Sequence, residues 1–201
     1  MKESNLVFGK DSLLINEKLD TSIGRVVMDR TETPLMKRYS EIVTQNGGDI
    51  LECGFGMGIS ADFIYNSNIN SYTCIEVNDE IFIKALEWSK DKSNVTILHG
   101  DWVNILPTIS RKFDGIFHDT HMDPNFLDFE TYCEKISNEN CVLSIFGYTH
   151  YPNSIFLENE IFKMDSKLEY LGMDNDEWLI TYSFFNNGSF KKRKQIKTSI
   201  I

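Results

Sequence analysis

The chain has 201 residues, a net charge of −10 and 41% hydrophobic residues, enough to bury a substantial core in one domain and too apolar for a disordered chain. The acidic balance argues against free nucleic acid or an anionic membrane as a partner of the protein body. No apolar stretch approaches the ~20 residues that span a bilayer.

The N-terminal "MKESNLVFGKDSLLINEKLD" has no apolar run of signal-peptide kind. Cys53, Cys74, Cys133 and Cys141 show no CxxC spacing, and three lie in apolar runs, so they read as free buried thiols. Both features point to the cytoplasm.

Residues 1–48 are irregular. A loop through "GRVVMDRTET" is expected to lead into a helix starting near Pro34, since proline suits a first helical turn, and "NGG" (46–48) ends it. From residue 49 short apolar runs alternate with amphipathic segments. Strands are expected at 49–54, 71–77, 94–100, 113–119 and 141–147, and helices at 57–68, 79–90, 126–138 and 153–165, with a short turn or helix after residue 100. "KLEYLGM" (167–173) and "WLITYSFF" (178–185) read as a closing antiparallel hairpin across "DNDE". The basic run "KKRKQIK" (191–197) reads as a solvated or disordered tail. The expectation is one α/β domain over 1–201, with a mostly parallel seven-stranded sheet and helices on both faces. Residues 1–48 would cover the site, 49–185 form the core, and 186–201 the tail.

The chemistry concentrates at "DILECGFGMGISADFI" (49–64). Glycines that end a strand and open a helix allow close backbone approach, and ligands of parallel sheets bind at the strands' carboxyl ends. Glu76 ends the second strand, where a carboxylate can accept from both hydroxyls of a ribose. The dinucleotide fingerprint is GxGxxG; here Gly54, Gly56 and Gly58 give GxGxG, preceded by Glu52. That form fits S-adenosylmethionine, which has no phosphate, with S-adenosylhomocysteine as its product. "HGDW" (99–102) follows the third strand and puts Asp101 and Trp102 where an adenine amine and ring would lie.

"VMDRTETPLM" (27–36), "ILECGFGMGISA" (50–61), "IEVNDEIF" (75–82), "GDW" (100–102) and "FDGIFHDTH" (113–121) occur in this order. They resemble the guanidinoacetate N-methyltransferases and the related arginine methyltransferases, over about residues 24–150. The resemblance implies a Rossmann-like class I methyltransferase fold and methylation of a guanidino group. It implies that Met28 and Met36 touch the cofactor, and that Phe55, Gly56, Met57, Gly58, Ile59 and Ser60 form the loop under its methionine part. Val77 and Asn78 would lie near the adenine. Glu32 and Asp119 would face the guanidinium, and Tyr148 and Thr149 would receive the substrate carboxylate.

Charge and geometry support the two acids independently, because a planar guanidinium is best held by carboxylates in bidentate contact. Asp119 ends the fourth strand beside the glycine loop and is the candidate base; Glu32 is the second anchor, or else a cap of the following helix. The family has tyrosines around this aspartate, whereas this chain has His118 and His121, either of which could line the substrate pocket. The histidines lack a third ligand at metal spacing. Position 31 is threonine where the guanidinoacetate enzymes have tryptophan, and Phe8 could replace their cofactor-covering tryptophan. The acceptor is expected to be a small guanidine such as guanidinoacetate or arginine. A peptide arginine, and a catalytically inactive cofactor-binding subunit, are the competing readings. Monomer and homodimer stay open.

Overall fold

The computed structural model describes residues 5–10, 12–16, 25–120, 123–146, 156–164 and 179–200. Three strands come first: β1 (Asn5–Phe8), β2 (Ser12–Asn16) and β3 (Arg25–Asp29), paired antiparallel in that order. This small sheet replaces the loop expected there. Its strands are short and carry "NLVF", "SLLIN" and "RVVMD", runs too brief to announce themselves by periodicity.

A single 3-10 turn, Arg30–Glu32, links β3 to helix α1 (Thr33–Val43). It is closed by a capping box: the Asp29 carboxylate accepts from the Thr31 amide at 2.9 Å, and Glu32 accepts from the Asp29 amide at 3.0 Å. Pro34 lies in the first turn of α1, as expected. The buried face of α1 carries Leu35, Met36, Tyr39, Ile42 and Val43, each side chain contributing roughly 1.5–3 kcal/mol of burial.

The core then runs β4 (Asp49–Cys53), α2 (Ile59–Tyr65), β5 (Ser71–Glu76), α3 (Asp79–Ser89), β6 (Val95–His99), α4 (Trp102–Ile105), β7 (Phe113–His118), α5 (Phe129–Lys135) and β8 (Ser137–Ile145). Strands β4 to β8 are parallel, in the order β6-β5-β4-β7-β8. Apolar side chains form a cluster on each face. One joins α1, α2 and α3; the other gathers Trp102, Phe113, Phe129 and Cys133. The four cysteines are free and buried.

The C-terminal part departs from expectation. Where a helix is expected at 153–165, the described residues form a strand, β9 (Phe156–Met164). β10 (Leu179–Asn186) pairs antiparallel with β8, and its hairpin partner is β11 (Ser189–Ile200), the segment expected to be a loose tail. The tail reading weighed the basic run and overlooked Asn187-Gly188, a strong hairpin turn signal. Both residues have positive φ, +49° and +85°. A bulge between Phe184 and Phe185 resets the register, so Phe190 enters one core cluster and Ile196 the other. β9 pairs parallel with β11 and gives the sheet an eighth strand. The strand expected at 167–173 and its link at 174–177 lie outside the described residues. Among the described residues no helix is long and apolar enough to cross a membrane.

Candidate active site

The parallel strands end on one edge of the sheet, and a cavity of about 320 Å3 opens there, at the lower end of the roughly 300–1,000 Å3 common for small-molecule sites. Its wall includes Gly54 and Gly56 after β4, Glu76, Val77 and Asn78 after β5, Asp101 and Trp102 after β6, and Asp119 after β7. Eight residues proposed from sequence thus converge from four strand ends.

Gly54 shows why glycine is required at the first position. Its φ is +93°, and a Cβ there would stand 2.0 Å from the Asp119 carbonyl oxygen. The Asp119 amide in turn donates to the Cys53 carbonyl at 2.8 Å. The missing side chain therefore lets the end of β7 close against the end of β4, which brings Asp119 beside the loop. At Gly58, φ is +74° and a Cβ would meet the Phe55 ring at 2.8 Å; this glycine caps α2.

Glu76 is buried and already oriented. One carboxylate oxygen accepts from the Phe55 amide and the other from the Asn78 amide, each at 2.8 Å. Each oxygen has a second lone pair for a ligand hydroxyl. Asn78 caps α3, and Asp101 caps α4 by accepting from the Val103 amide at 3.0 Å. Val77 is 52% exposed at the cavity, an apolar surface of the kind that a base can cover. Double-hydroxyl, apolar and amine-binding features are all present, so the residues fit an adenosyl group.

The other proposed cofactor residues do not line the cavity; they build the layer behind it. Phe55 is buried and packs edge-on against Trp88. Met28 presents its sulfur to Gly56 and to the Met57 amide, 3.3 Å away. Met36, Ile59 and Ser60 are buried. Glu52 is fully buried and accepts from the hydroxyls of Ser60 and Tyr72. Burial raises its pKa to about 7, even though those hydroxyls favour the charged form. Phe8 lies outside the cavity wall, with the Lys84 ammonium 4.1 Å from its ring centroid.

Beyond the end of β7, burial raises the Asp119 pKa well above the ordinary carboxylate range, and the charges of Glu32, Glu52 and Glu76 raise it further. Glu32 is the strongest of these charges, buried at 2% exposure and tied into the capping box. The Glu32 side chain thus closes the 3-10 turn and makes no cap hydrogen bond to α1, and it stands outside the cavity wall while its charge reaches Asp119. His121, Tyr148 and Thr149 lie outside the described residues.

Sequence reasoning missed Val27, Cys53, Ile75, Ile81, Gly100, Thr120, Asp123 and Pro124 as site residues, all in the wall. Gly100 and Thr120 lie inside the motifs "GDW" and "FDGIFHDTH" and could have been inferred. Val27 arrives from β3, and Asp123 from a loop without a pattern. His118 is buried with its ring against Trp102 and Phe129 of the second core, and its Nε2 lies 2.9 Å from the Asp123 carboxylate. Among the described residues no cluster of His, Cys, Asp and Glu could hold a metal ion.

The sheet order and the strand-end cavity define a Rossmann-like class I methyltransferase fold. The model of the guanidinoacetate N-methyltransferase family matches residues 15–140, and the chain belongs to that family. It is similar to protein arginine N-methyltransferase 2 of Aspergillus oryzae, 32% identical over 141 residues, covering 67% of this chain and 32% of that protein. The Saccharomyces cerevisiae protein of the same name is 32% identical over 128 residues, covering 59% of this chain and 30% of that protein. The chain spans about a third of the length of these curated relatives. Among solved structures, the O-methyltransferase TomG from Streptomyces achromogenes, in complex with SAM, shares the fold at TM-score 0.50 and 16% identity, covering 82% of this chain and 78% of that one.

Proposed function

We propose that this protein transfers a methyl group from S-adenosylmethionine to a guanidino nitrogen of a small molecule such as guanidinoacetate or arginine. The observation that carries this reading is Asp119: a carboxylate on the cavity wall, beside the glycine loop, under the charge of Glu32. S-adenosylmethionine supplies, when bound, a methyl group activated by a positively charged sulfur.

The chain's own residues do the rest. Glu76 accepts from the ribose hydroxyls with oxygens already held by backbone amides. Asp101 and Trp102 bound the adenine end. Glycine at 54 and 56 lets the Asp119 backbone and the Met28 side chain close on the loop that would hold the methionine end. Asp119 pairs with the guanidinium N–H groups, orients the attacking nitrogen and takes its proton. A carboxylate with a raised pKa is the stronger base for this task. Glu32 adds the second negative charge that makes a cation the favoured occupant.

The raised Asp119 pKa also fixes the sign of the pH dependence. Its ionised form binds a guanidinium and its protonated form does not, so acceptor affinity rises as pH climbs through that pKa.

A second reading is an arginine side chain in a protein as the acceptor. It is favoured by the names of the relatives that match most of the domain. One assay separates these. Guanidinoacetate, arginine, arginine-containing peptides, simple amines and phenols are offered with S-adenosylmethionine, and S-adenosylhomocysteine release is followed. Turnover of free guanidines above peptides is the expected result. Preference for peptides moves the reading to the second, and turnover of amines or phenols without guanidines defeats both.

A further inference from the structure

One carboxylate in the cavity wall is more heavily committed than any motif residue. Asp123 Oδ2 accepts from the Trp102 indole N–H at 2.6 Å, lies 2.9 Å from His118 Nε2, and accepts from the Thr120 hydroxyl at 3.3 Å. Its other oxygen accepts from the Asn125 amide at 2.8 Å. The partners come from three places: the start of α4, the end of β7, and the loop after β7. Trp102, Thr120 and Asp123 all line the cavity. Burial opposes ionisation of Asp123, yet the hydrogen bonds from His118, the Asn125 amide and Trp102 hold its pKa down to about 2. The carboxylate is therefore charged whenever the protein is folded near neutrality.

The Trp102 ring stands edge-on to His118, Phe129 and Tyr132, with centroids 5.9, 5.0 and 5.3 Å away. These contacts fill space around the indole. Its N–H bond to Asp123 fixes its rotation, and leaving a buried N–H unpaired is costly. The same carboxylate binds Thr120, the neighbour of Asp119. Wall and acceptor loop are thus tied to one anion.

We propose that Asp123 is a positioning residue for the cofactor: it locks Trp102 as a preformed wall of the adenosyl cavity and fastens the Asp119 loop to that wall. The proposal rests on reading the cavity as the S-adenosylmethionine site. Preformed walls spare a ligand the cost of ordering them, so the lock should appear in affinity before any chemistry occurs.

The test is calorimetric titration of the full chain with S-adenosylhomocysteine. Asp123→Asn keeps the shape, but its single oxygen cannot serve both Asn125 and the Trp102–His118 side. Asp123→Asn and Trp102→Phe are each expected to weaken binding about tenfold, and the double variant should lie within about threefold of Trp102→Phe alone. Multiplication of the two effects to about a hundredfold would overturn the coupling. Unchanged affinity in Asp123→Asn, with binding by the unaltered protein, would overturn the proposal alone. Absence of binding by the unaltered protein would remove the reading of the cavity itself. Should Asp123→Asn not fold, the unaltered protein still decides. The Trp102 indole N–H is expected to resist hydrogen exchange before ligand is added, and rapid exchange without ligand contradicts a preformed lock.

Discussion

At one end of the cavity Glu76 has both oxygens fixed by the Phe55 and Asn78 amides. At the other end Asp119 stands among the charges of Glu32, Glu52 and Glu76, with its ionisation opposed by burial. The first arrangement is ready for neutral hydroxyls, which only have to donate to lone pairs already aimed. The second is unfavourable without a nearby cation, and the proposed guanidinium would relieve the repulsion. One cavity thus combines a hydrogen-bonded carboxylate at Glu76 with a destabilised one at Asp119, the pair on which the proposed cofactor and acceptor ends rest. Gly54 stands between the two strand ends: its amide donates to the Ile75 carbonyl at 2.8 Å, and its missing Cβ lets the Asp119 carbonyl approach.

That contact gives the largest expected effect. Gly54→Ala places a Cβ 2.0 Å from the Asp119 carbonyl, so strand ends must separate at a cost of about 4 kcal/mol or more. Gly188→Ala is the control: φ is also positive, at +85°, but nothing lies within 4 Å of its Cβ, and the cost is about 1–2 kcal/mol. Urea unfolding of both variants compares them. Equal destabilisation would remove the close-approach account of Gly54.

The next effect concerns the acid beneath the loop. The Glu52 pKa rises from 4.5 unfolded to about 7 folded. The folded state then binds more protons, so its contribution to stability is full below pH 4.5 and is lost as pH rises through about 7. The total loss is about 3 kcal/mol at most, at ~1.4 kcal/mol per pH unit. Glu52→Gln should remove the Glu52 share of this slope in unfolding measured between pH 4 and 8. A residual slope of the same sign is expected from Asp119, whose pKa is also raised. A slope that survives undiminished contradicts the assignment to Glu52.

A smaller change tests the hydrogen-bonded carboxylate. In Glu76→Gln the amide nitrogen must face either the Phe55 or the Asn78 N–H, donor against donor. S-adenosylhomocysteine affinity is expected to fall about tenfold or more, for roughly 1–3 kcal/mol of lost hydrogen bonding. Equal affinity in a calorimetric titration would mean that the carboxylate is not the ribose anchor.

Much of this cavity is legible before any coordinates, because its end points are strand termini. Gly54, Glu76, Asp101 and Asp119 each close an apolar run, and parallel topology alone sends them to one edge. What is not legible depends on contacts between distant segments. Val27 reaches the cavity only because β3 docks over the loop through Met28 and Gly56. Asp123 acquires its role from Trp102, 21 residues earlier. Met36 and Phe55 carry motif positions yet serve the core, since both are buried. At the C-terminus, charge outweighed pattern in the reading of "KKRKQIK", although Asn187-Gly188 and the apolar Phe190 and Ile196 mark a hairpin strand.

The central claim is that Asp119 holds and deprotonates the acceptor while the cofactor end stands independently of it. The most direct measurement pairs two readings on Asp119→Asn: S-adenosylhomocysteine release with the best guanidine acceptor, and S-adenosylhomocysteine affinity. Turnover is expected to fall by about 10²–10⁴-fold, the usual range for loss of a general base, with affinity within a few-fold of the unaltered protein. Turnover within a few-fold of the unaltered protein would contradict the claim.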